Sequence, residues 1–344
     1  MRRCFGQEFD VPLGYCNTTS IGIPPRSAAA TAHEVIDTWA SGGFSAHDFD
    51  APVATARSAF AELAGVPADS VAIGSSVAEL VATVAASLGE GTRVLVTEGE
   101  FTSTTFPFAA QAHRGITVTE TAPDRLLSEV DGHDLVAVSL VQSADGRILE
   151  LDSLREAVER AGARLLLDVT QAAGWLPLRL DWADYVVCAG YKWLMCPRGA
   201  AWLAVREPER LNPVHANWYA GESPWETVYG LPLRLAGTAR RFDLSPVWFS
   251  QAGAAAVLPW LSGLDMHAVA EHNIGLANAL RAGLGMAPGS TAVVSADLGE
   301  RTEGLRVAGI RAAIRAGRSR FAFHLYNTEE DVAAVLEAVT RPIR

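Results

Sequence analysis

The stretch 164–205, RLLLDVTQAAGWLPLRLDWADYVVCAGYKWLMCPRGAAWLAV, carries the reading on which the fold turns. RLLLDV, YVVCAG and AWLAV are short apolar runs that lack an in/out alternation, the pattern of strands buried on both faces. Working back toward the N-terminus, SVAI (70–73), RVLV (93–96), ITVTE (116–120) and LVAVSLV (135–141) are further strand candidates, several of them equally without alternation, with helical runs between them. Seven strand candidates alternating with helices predict an α/β fold: a mainly parallel seven-stranded sheet with helices on both faces. Residues 26–240 form this large lobe, opened by a helix over Arg26–Trp39 that ends at Gly42-Gly43 and a second over Pro52–Leu63 closed by Gly65. Residues 1–25 precede it as an arm. Residues 241–344 read as a smaller α+β domain, with helical runs QAGAAAVLPWL and MHAVAEHNIGLANALRAGL followed by TAVVSAD and SRFAFHLY. In SRFAFHLY, Phe321, Phe323 and Leu325 alternate with Arg320, His324 and Tyr326, which predicts a half-buried strand with one polar face. Asn327 or Thr328 is then the cap of a closing helix. Residues 211–237 have little periodicity and many aromatics, and read as a long ordered loop.

Ligands of parallel α/β sheets bind beyond the carboxyl ends of the strands. Those ends carry Glu98 and Phe101, Gln142 and Ser143, Asp168 and Gln171, and Lys192. A lysine directly after an apolar strand is partly desolvated, which lowers its pKa and frees a nucleophilic amine for imine formation; the plainer reading is a snorkelling lysine paired with an acid. A carboxylate closing an LLL strand, as Asp168 does, requires a positive partner, either an arginine or a protonated pyridine nitrogen. Gly74, Ser75 and Ser76 lie between a strand and a helix, where backbone donors and two hydroxyls suit a phosphate dianion or make an ordinary serine N-cap. Phe101 is either packing or a face for a flat ring.

Composition narrows the class. The formal net charge of -11 over 344 residues opposes contact with nucleic acid or anionic lipid. MRRCFGQEFD leads into no apolar signal core, and no apolar run is long enough to span a bilayer, so a soluble cytoplasmic enzyme is expected. Cys4, Cys16, Cys188 and Cys196 make neither a CxxC pair nor a zinc-like cluster, so neither disulfides nor a metal is expected.

With these residues assembled, the chain resembles the class V aminotransferase family, fold type I pyridoxal-phosphate enzymes with an aspartate aminotransferase-like fold, which includes cysteine desulfurases, kynureninases and isopenicillin N epimerase-like proteins. The block LLLDVTQAAGWLPLRLDWADYVVCAGYKWLMCPRG is the most specific part of the match. The resemblance implies pyridoxal 5'-phosphate held as a Schiff base on Lys192, with Asp168 on the pyridinium nitrogen and Gln171 on the phenolate oxygen. Phe101 would stack on the ring, Ser75 and Ser76 would form the phosphate turn, and Tyr191 would stand where histidine often supports that phosphate. Ser143 joins the cofactor-binding set. Ser245, in RRFDLSP, or Thr238, in AGT, would reach the phosphate of the other subunit of a homodimer. Arg320 would clamp the carboxylate of an amino-acid substrate, with Asn17 of the arm beside it, and His324 would be structural.

Carbanion chemistry on this cofactor allows transamination, racemisation, elimination or decarboxylation. Desulfurases need a mobile cysteine shortly before the C-terminal strand, and GLRVAGIRAAIRAGRSRFAF has none. GYCNTTSIGIPPR, EGEFTSTTFPF and RRFDLSPVWF are similar to a branch containing carbon-sulfur lyases of ergothioneine and lincosamide pathways. That resemblance implies β-elimination from an S-substituted cysteine in secondary metabolism, with oxidative decarboxylation, transamination or epimerisation as alternatives, and a silent cofactor-binding regulatory module as the non-enzymatic one. Trp39, Trp218, Tyr219 and Trp225 are candidates for the walls of the side-group pocket or for core packing.

Overall fold

The computed structural model describes residues 1–340, so residues 341–344 of the expected small domain lie outside the described residues. The chain opens with a hairpin, β1 (Arg2–Cys4) and β2 (Gln7–Phe9), and continues to helices α1 (Arg26–Ala40) and α2 (Asp50–Ala64). Gly65, at φ 64°, closes α2 in the left-handed conformation that stops a helix at low cost to glycine. The large sheet then forms from β3 (Val71–Gly74), β4 (Arg93–Thr97), β5 (Thr117–Thr121), β6 (Leu135–Ser139), β7 (Arg164–Asp168), β8 (Tyr185–Ala189) and β9 (Ala201–Val205). Between them run α3 (Val77–Ser87), α4 (Thr102–Ala109), α5 (Leu126–Glu129) and α6 (Leu151–Ala161).

The strand order is β3-β9-β8-β7-β6-β4-β5. Strands β4 to β8 pair in parallel, and β9 runs antiparallel to both β8 and β3. The carboxyl ends of all strands except β9 therefore meet at one edge. Alternate side chains of one strand enter different cores: Leu165 and Leu167 pack into one, Leu166 into the other. The first core also takes Val53 and Phe60 of α2 and Leu154 of α6; the second takes Leu80, Val81 and Val84 of α3 and Phe108 of α4. Burial on both faces is why these strands read as unbroken apolar runs. Leu166→Ala would open a void costing about 2–5 kcal/mol.

The remainder comprises α7 (Trp248–Ser262), α8 (Met266–Gly283), β10 (Val293–Ala296), α9 (Thr302–Val307), β11 (Ala313–Arg315), β12 (Arg318–Ala322) and α10 (Glu329–Thr340). β12 lies between β10 and β11 in an antiparallel three-stranded sheet, and a separate core joins Phe321 and Phe323 to Leu276, Leu280 and Val335. Three details differ from the sequence expectation. α7 lies beyond residue 240, yet Val257, Leu258 and Leu261 share the core of the large lobe, because its partners are α1 and α2. The strand stops at Ala322, and its supposed polar face is covered: Arg320 is 1% exposed and His324 and Tyr326 are fully buried. The closing helix is held at its start by Asp331, which accepts the Thr328 amide at 3.0 Å, while Asn327 Oδ1 accepts the His324 amide instead.

The arm is bound to the small lobe. Arg2 donates to Asp331 at 2.8 Å, Asp331 also accepts the Gly14 amide at 2.7 Å, and Ala322 donates to the Cys16 carbonyl at 2.9 Å. Farther along, Gly22 donates to the Tyr191 carbonyl at 2.9 Å. A Cβ on Gly22 would stand 2.0 Å from the Lys192 carbonyl oxygen, so only glycine permits this crossing. No helix among the described residues is long and apolar enough to cross a membrane.

Candidate active site

At the carboxyl edge of the large sheet lies a cleft of about 430 Å³, lined by Ser75, Ser76, Phe101, Asp168, Tyr191 and Lys192 among others. They come from four places: the turn between β3 and α3, the start of α4, the end of β7 and the segment after β8. Lys192 follows β8 and is 7% exposed, with its Nζ 5.4 Å from the Phe101 ring centroid and 5.7 Å from that of Tyr191. Burial pushes its amine down to about 8, with Asp168 opposing the fall and Arg320 adding to it. Asp168 ends β7 and is 6% exposed; its Oδ1 accepts the Thr170 amide at 2.8 Å and its Oδ2 the Thr104 hydroxyl at 3.2 Å. Neither Lys192 nor Asp168 takes part in an ion pair among the described residues.

Arg320 arrives from β12 of the small lobe. Its Nη1 donates to the Ser143 carbonyl and, at 3.3 Å, to the Ser143 hydroxyl, while Nη2 donates to Ser20 Oγ at 3.1 Å. Among the described residues no carboxylate pairs with it and its Nε is buried without a partner; burial together with Arg315 draws the guanidinium down to about 10. Asn17 Oδ1 is likewise buried and unpartnered. An arginine in this condition is prepared for an anion the chain does not supply.

Several expected cofactor contacts are already committed within the protein. Ser75 donates both its amide (3.0 Å) and its hydroxyl (2.6 Å) to Glu79 Oε2, and Ser76 Oγ accepts the Glu79 amide at 3.4 Å. The turn is therefore a serine-capped helix start, whose first-turn amides have no intrahelical acceptor and whose Ser76 hydroxyl proton stays available to an anion. Gln171 is buried; its Oε1 accepts Trp193 Nε1 at 2.8 Å, and its Nε2 donates to the Thr19 carbonyl at 3.1 Å and meets Ser143 Oγ at 3.5 Å. Ser245 is exposed with Trp218 on its hydroxyl, and Thr238 caps a short 3-10 helix; neither lines the cleft within one chain. Trp218, Tyr219 and Trp225 cluster beside Asp50, and Trp39 packs edge-on to Phe249. His324 is a core residue: its Nε2 lies 2.8 Å from the Trp193 carbonyl and burial lowers it to about 3.

Thr104 and Thr170, which hold Asp168, were not singled out in the sequence, nor was Arg198, whose guanidinium lies 5.1 Å from the Tyr191 ring centroid at the cleft wall. The polar run TSTT after Phe101 and the Pro-Arg-Gly after the lysine loop were the available signals.

A mainly parallel seven-stranded sheet, a small C-terminal sheet and a buried lysine and aspartate at one strand edge define a fold type I pyridoxal-phosphate enzyme. The aminotransferase class-V family profile matches residues 23–307, and the chain belongs to that family. It is 28% identical over 316 residues to the uncharacterized aminotransferase YcbU of Bacillus subtilis (strain 168), covering 83% of this chain and 82% of that protein. It is 26% identical over 308 residues to a kynureninase of Burkholderia mallei (strain SAVP1), covering 79% and 71%. Among solved structures, the cystine C-S lyase C-DES in complex with its reaction product cysteine persulfide superposes with a TM-score of 0.84 at 21% identity, covering 96% of this chain and 97% of that one. The cysteine desulfurase of Thermococcus onnurineus NA1 gives 0.81 at 19% identity, covering 94% and 93%. At those identities the likeness is one of fold.

The residues present fit pyridoxal phosphate: a depressed amine, a buried carboxylate and a serine-capped helix start surround one cleft, and a buried arginine without a counter-ion among the described residues stands close enough to lower that amine.

Proposed function

We propose that this enzyme is a carbon-sulfur lyase acting by β-elimination on an S-substituted L-cysteine. The observation that carries the reading is the depressed amine of Lys192, buried in the cleft 5.4 Å from the Phe101 ring centroid. An amine neutral near pH 8 suits removal of an α-proton, the step with which β-elimination begins.

With pyridoxal phosphate bound, Lys192 would hold it through its amine, Asp168 would partner the ring nitrogen, Phe101 would cover the ring, and the Ser76 turn would receive the phosphate. The cofactor supplies an electron sink for a carbanion at the substrate α-carbon. Arg320 binds the substrate carboxylate, its orphaned Nε and forked geometry matching a planar anion. Thr104 and Thr170 keep Asp168 oriented. Lys192 removes the α-proton, the sulfur-bearing group leaves from the β-carbon as thiol, and the three-carbon remainder hydrolyses to pyruvate and ammonia.

Desulfuration is disfavoured by the cysteines themselves. Cys188 and Cys196 are buried and burial pushes both thiols up, so neither is a ready thiolate for sulfur transfer. Homodimerisation, with Ser245 or Thr238 serving the neighbouring subunit, accounts for two residues that touch nothing in their own cleft.

The test is incubation of the holoenzyme with a panel of cysteine S-conjugates, following pyruvate, thiol, carbon dioxide and peroxide by mass spectrometry. Stoichiometric pyruvate and thiol are expected; carbon dioxide with peroxide would favour oxidative decarboxylation, and the 2-oxo acid that still carries the sulfur substituent would favour transamination. Lys192→Ala should abolish the visible cofactor band and lower turnover by at least about 10³-fold, within the range for a lost general base.

A further inference from the structure

Glu100 is a buried carboxylate to which no role has yet been given. It is 8% exposed, yet no cation pairs with it among the described residues. Four donors satisfy it instead. Oε1 accepts the Phe101 amide at 2.9 Å and the Ser139 hydroxyl at 2.6 Å; Oε2 accepts the Ser139 amide at 2.9 Å and the Thr97 hydroxyl at 3.1 Å. A carboxylate has about four lone-pair sites, and this arrangement uses all of them.

The four bonds join the end of β4, the end of β6 and the first residue before α4. That residue is Phe101, the N-cap of α4, which has no side-chain capping bond of its own and leaves its ring 46% exposed in the cleft. Which rotamers a half-exposed ring can adopt depends on its backbone, so holding the Phe101 backbone limits where the ring can point. Thr104, one turn later on the same helix, donates to Asp168. A single buried anion thus sets the element that carries both the ring wall and the partner of Asp168.

We propose that Glu100 is a positioning residue for the cofactor, acting through Phe101: its carboxylate fixes the phenyl ring against the pyridine ring. This rests on Phe101 being the stacking residue. Glutamine is nearly isosteric with glutamate but cannot reproduce the network. In either amide orientation its NH₂ faces a backbone N–H, that of Phe101 or that of Ser139, and one of them loses its acceptor.

The experiment measures pyridoxal phosphate affinity by fluorescence titration and the induced circular dichroism of the bound cofactor in four full-length proteins: wild type, Glu100→Gln, Phe101→Ala and the double variant. Glu100→Gln and Phe101→Ala should each weaken binding by about five-fold, the scale of one aromatic contact, and each should reduce the induced band. The double variant should bind no more weakly than Phe101→Ala alone, because coupled residues are not additive. If Phe101→Ala leaves affinity and band unchanged, the stacking role fails and the inference with it. If Phe101→Ala has its effect but Glu100→Gln does not, or weakens binding equally in both backgrounds, the inference fails while the stacking role stands. Should Glu100→Gln not fold, Ser139→Ala removes only the 2.6 Å bond to Oε1 and should shift the induced band by a smaller amount; an unchanged band would overturn the proposal.

Discussion

Two groups of buried charge in this molecule are built on opposite plans. Arg57 and Asp243 form a closed set: Nη1 and Nη2 reach the two carboxylate oxygens at 2.9 and 2.7 Å, the Ile73 amide donates to Oδ1 at 2.9 Å, and Arg57 also reaches the Val71 carbonyl at 2.5 Å. Every strong donor has its acceptor, and the pair ties α2 and β3 to the segment before α7. Lys192, Asp168 and Arg320 form an open set: buried to the same degree, without ion pairs, and with an arginine nitrogen left unsatisfied. A closed set stabilises the fold it belongs to. An open set weakens the free protein, and its unmet demand is what a ligand answers.

The contrast is easiest to break at its closed member. Asp243→Ala leaves Arg57 buried and unpaired and should cost about 3–5 kcal/mol of stability, read by urea denaturation, with no change in cofactor affinity of the folded fraction. If the loss were under 1 kcal/mol, the two sets would not differ as described.

Lys192→Met should do the opposite to the cofactor-free protein. The folded amine sits at about 8 against an ordinary value of 10.5, so near pH 7 its burial costs about 3 kcal/mol, which methionine would restore. The unfolded chain binds the extra proton between pH 8 and 10.5, so the wild-type apoprotein should gain stability as pH rises through that window. The methionine variant should lack this slope, and equal slopes in the two proteins would sink the assignment.

Arg320→Met tests the open set on the ligand side. It should leave thermal stability unchanged or raised, since no carboxylate loses a partner, while raising KM for an amino-acid substrate about 10- to 100-fold, the scale of a charge-assisted bond. A lowered melting temperature with unchanged KM would move Arg320 into the structural group.

The smallest effect is kinetic. Attachment of pyridoxal phosphate needs the neutral amine, so its rate should rise about tenfold per pH unit below 8 and level off above it, followed by the growth of the visible band. A profile still rising steeply beyond pH 10 would mean that Lys192 is not desolvated.

Much of this was legible in the chain. The apolar runs from SVAI to AWLAV located the strands of the large sheet, because burial on both faces removes polar residues from both; the edge strand β5, TVTET, is largely exposed and was read from its alternation with the helices. Lys192, Asp168, Phe101 and the Ser75-Ser76 turn converge because strand ends in a parallel sheet share an edge. Other features were hidden. Alternation in SRFAFHLY predicted a wet face, but Arg320, His324 and Tyr326 are covered by Trp193, Thr18 and the Ser143 loop, which come from far along the chain. Ser75 looked free for phosphate until Glu79, one helical turn away, turned back onto it.

The sequence by itself determined the order of strands and helices, the positions of the lysine and the aspartate at strand ends, and the membership of the chain in its family, since periodicity and strand-end chemistry are local properties. Only the tertiary structure decided which buried charges are paired and which stand open. That choice depends on side chains more than a hundred positions apart meeting within 3 Å, as Arg57 and Asp243 do and as Arg320 and a carboxylate do not.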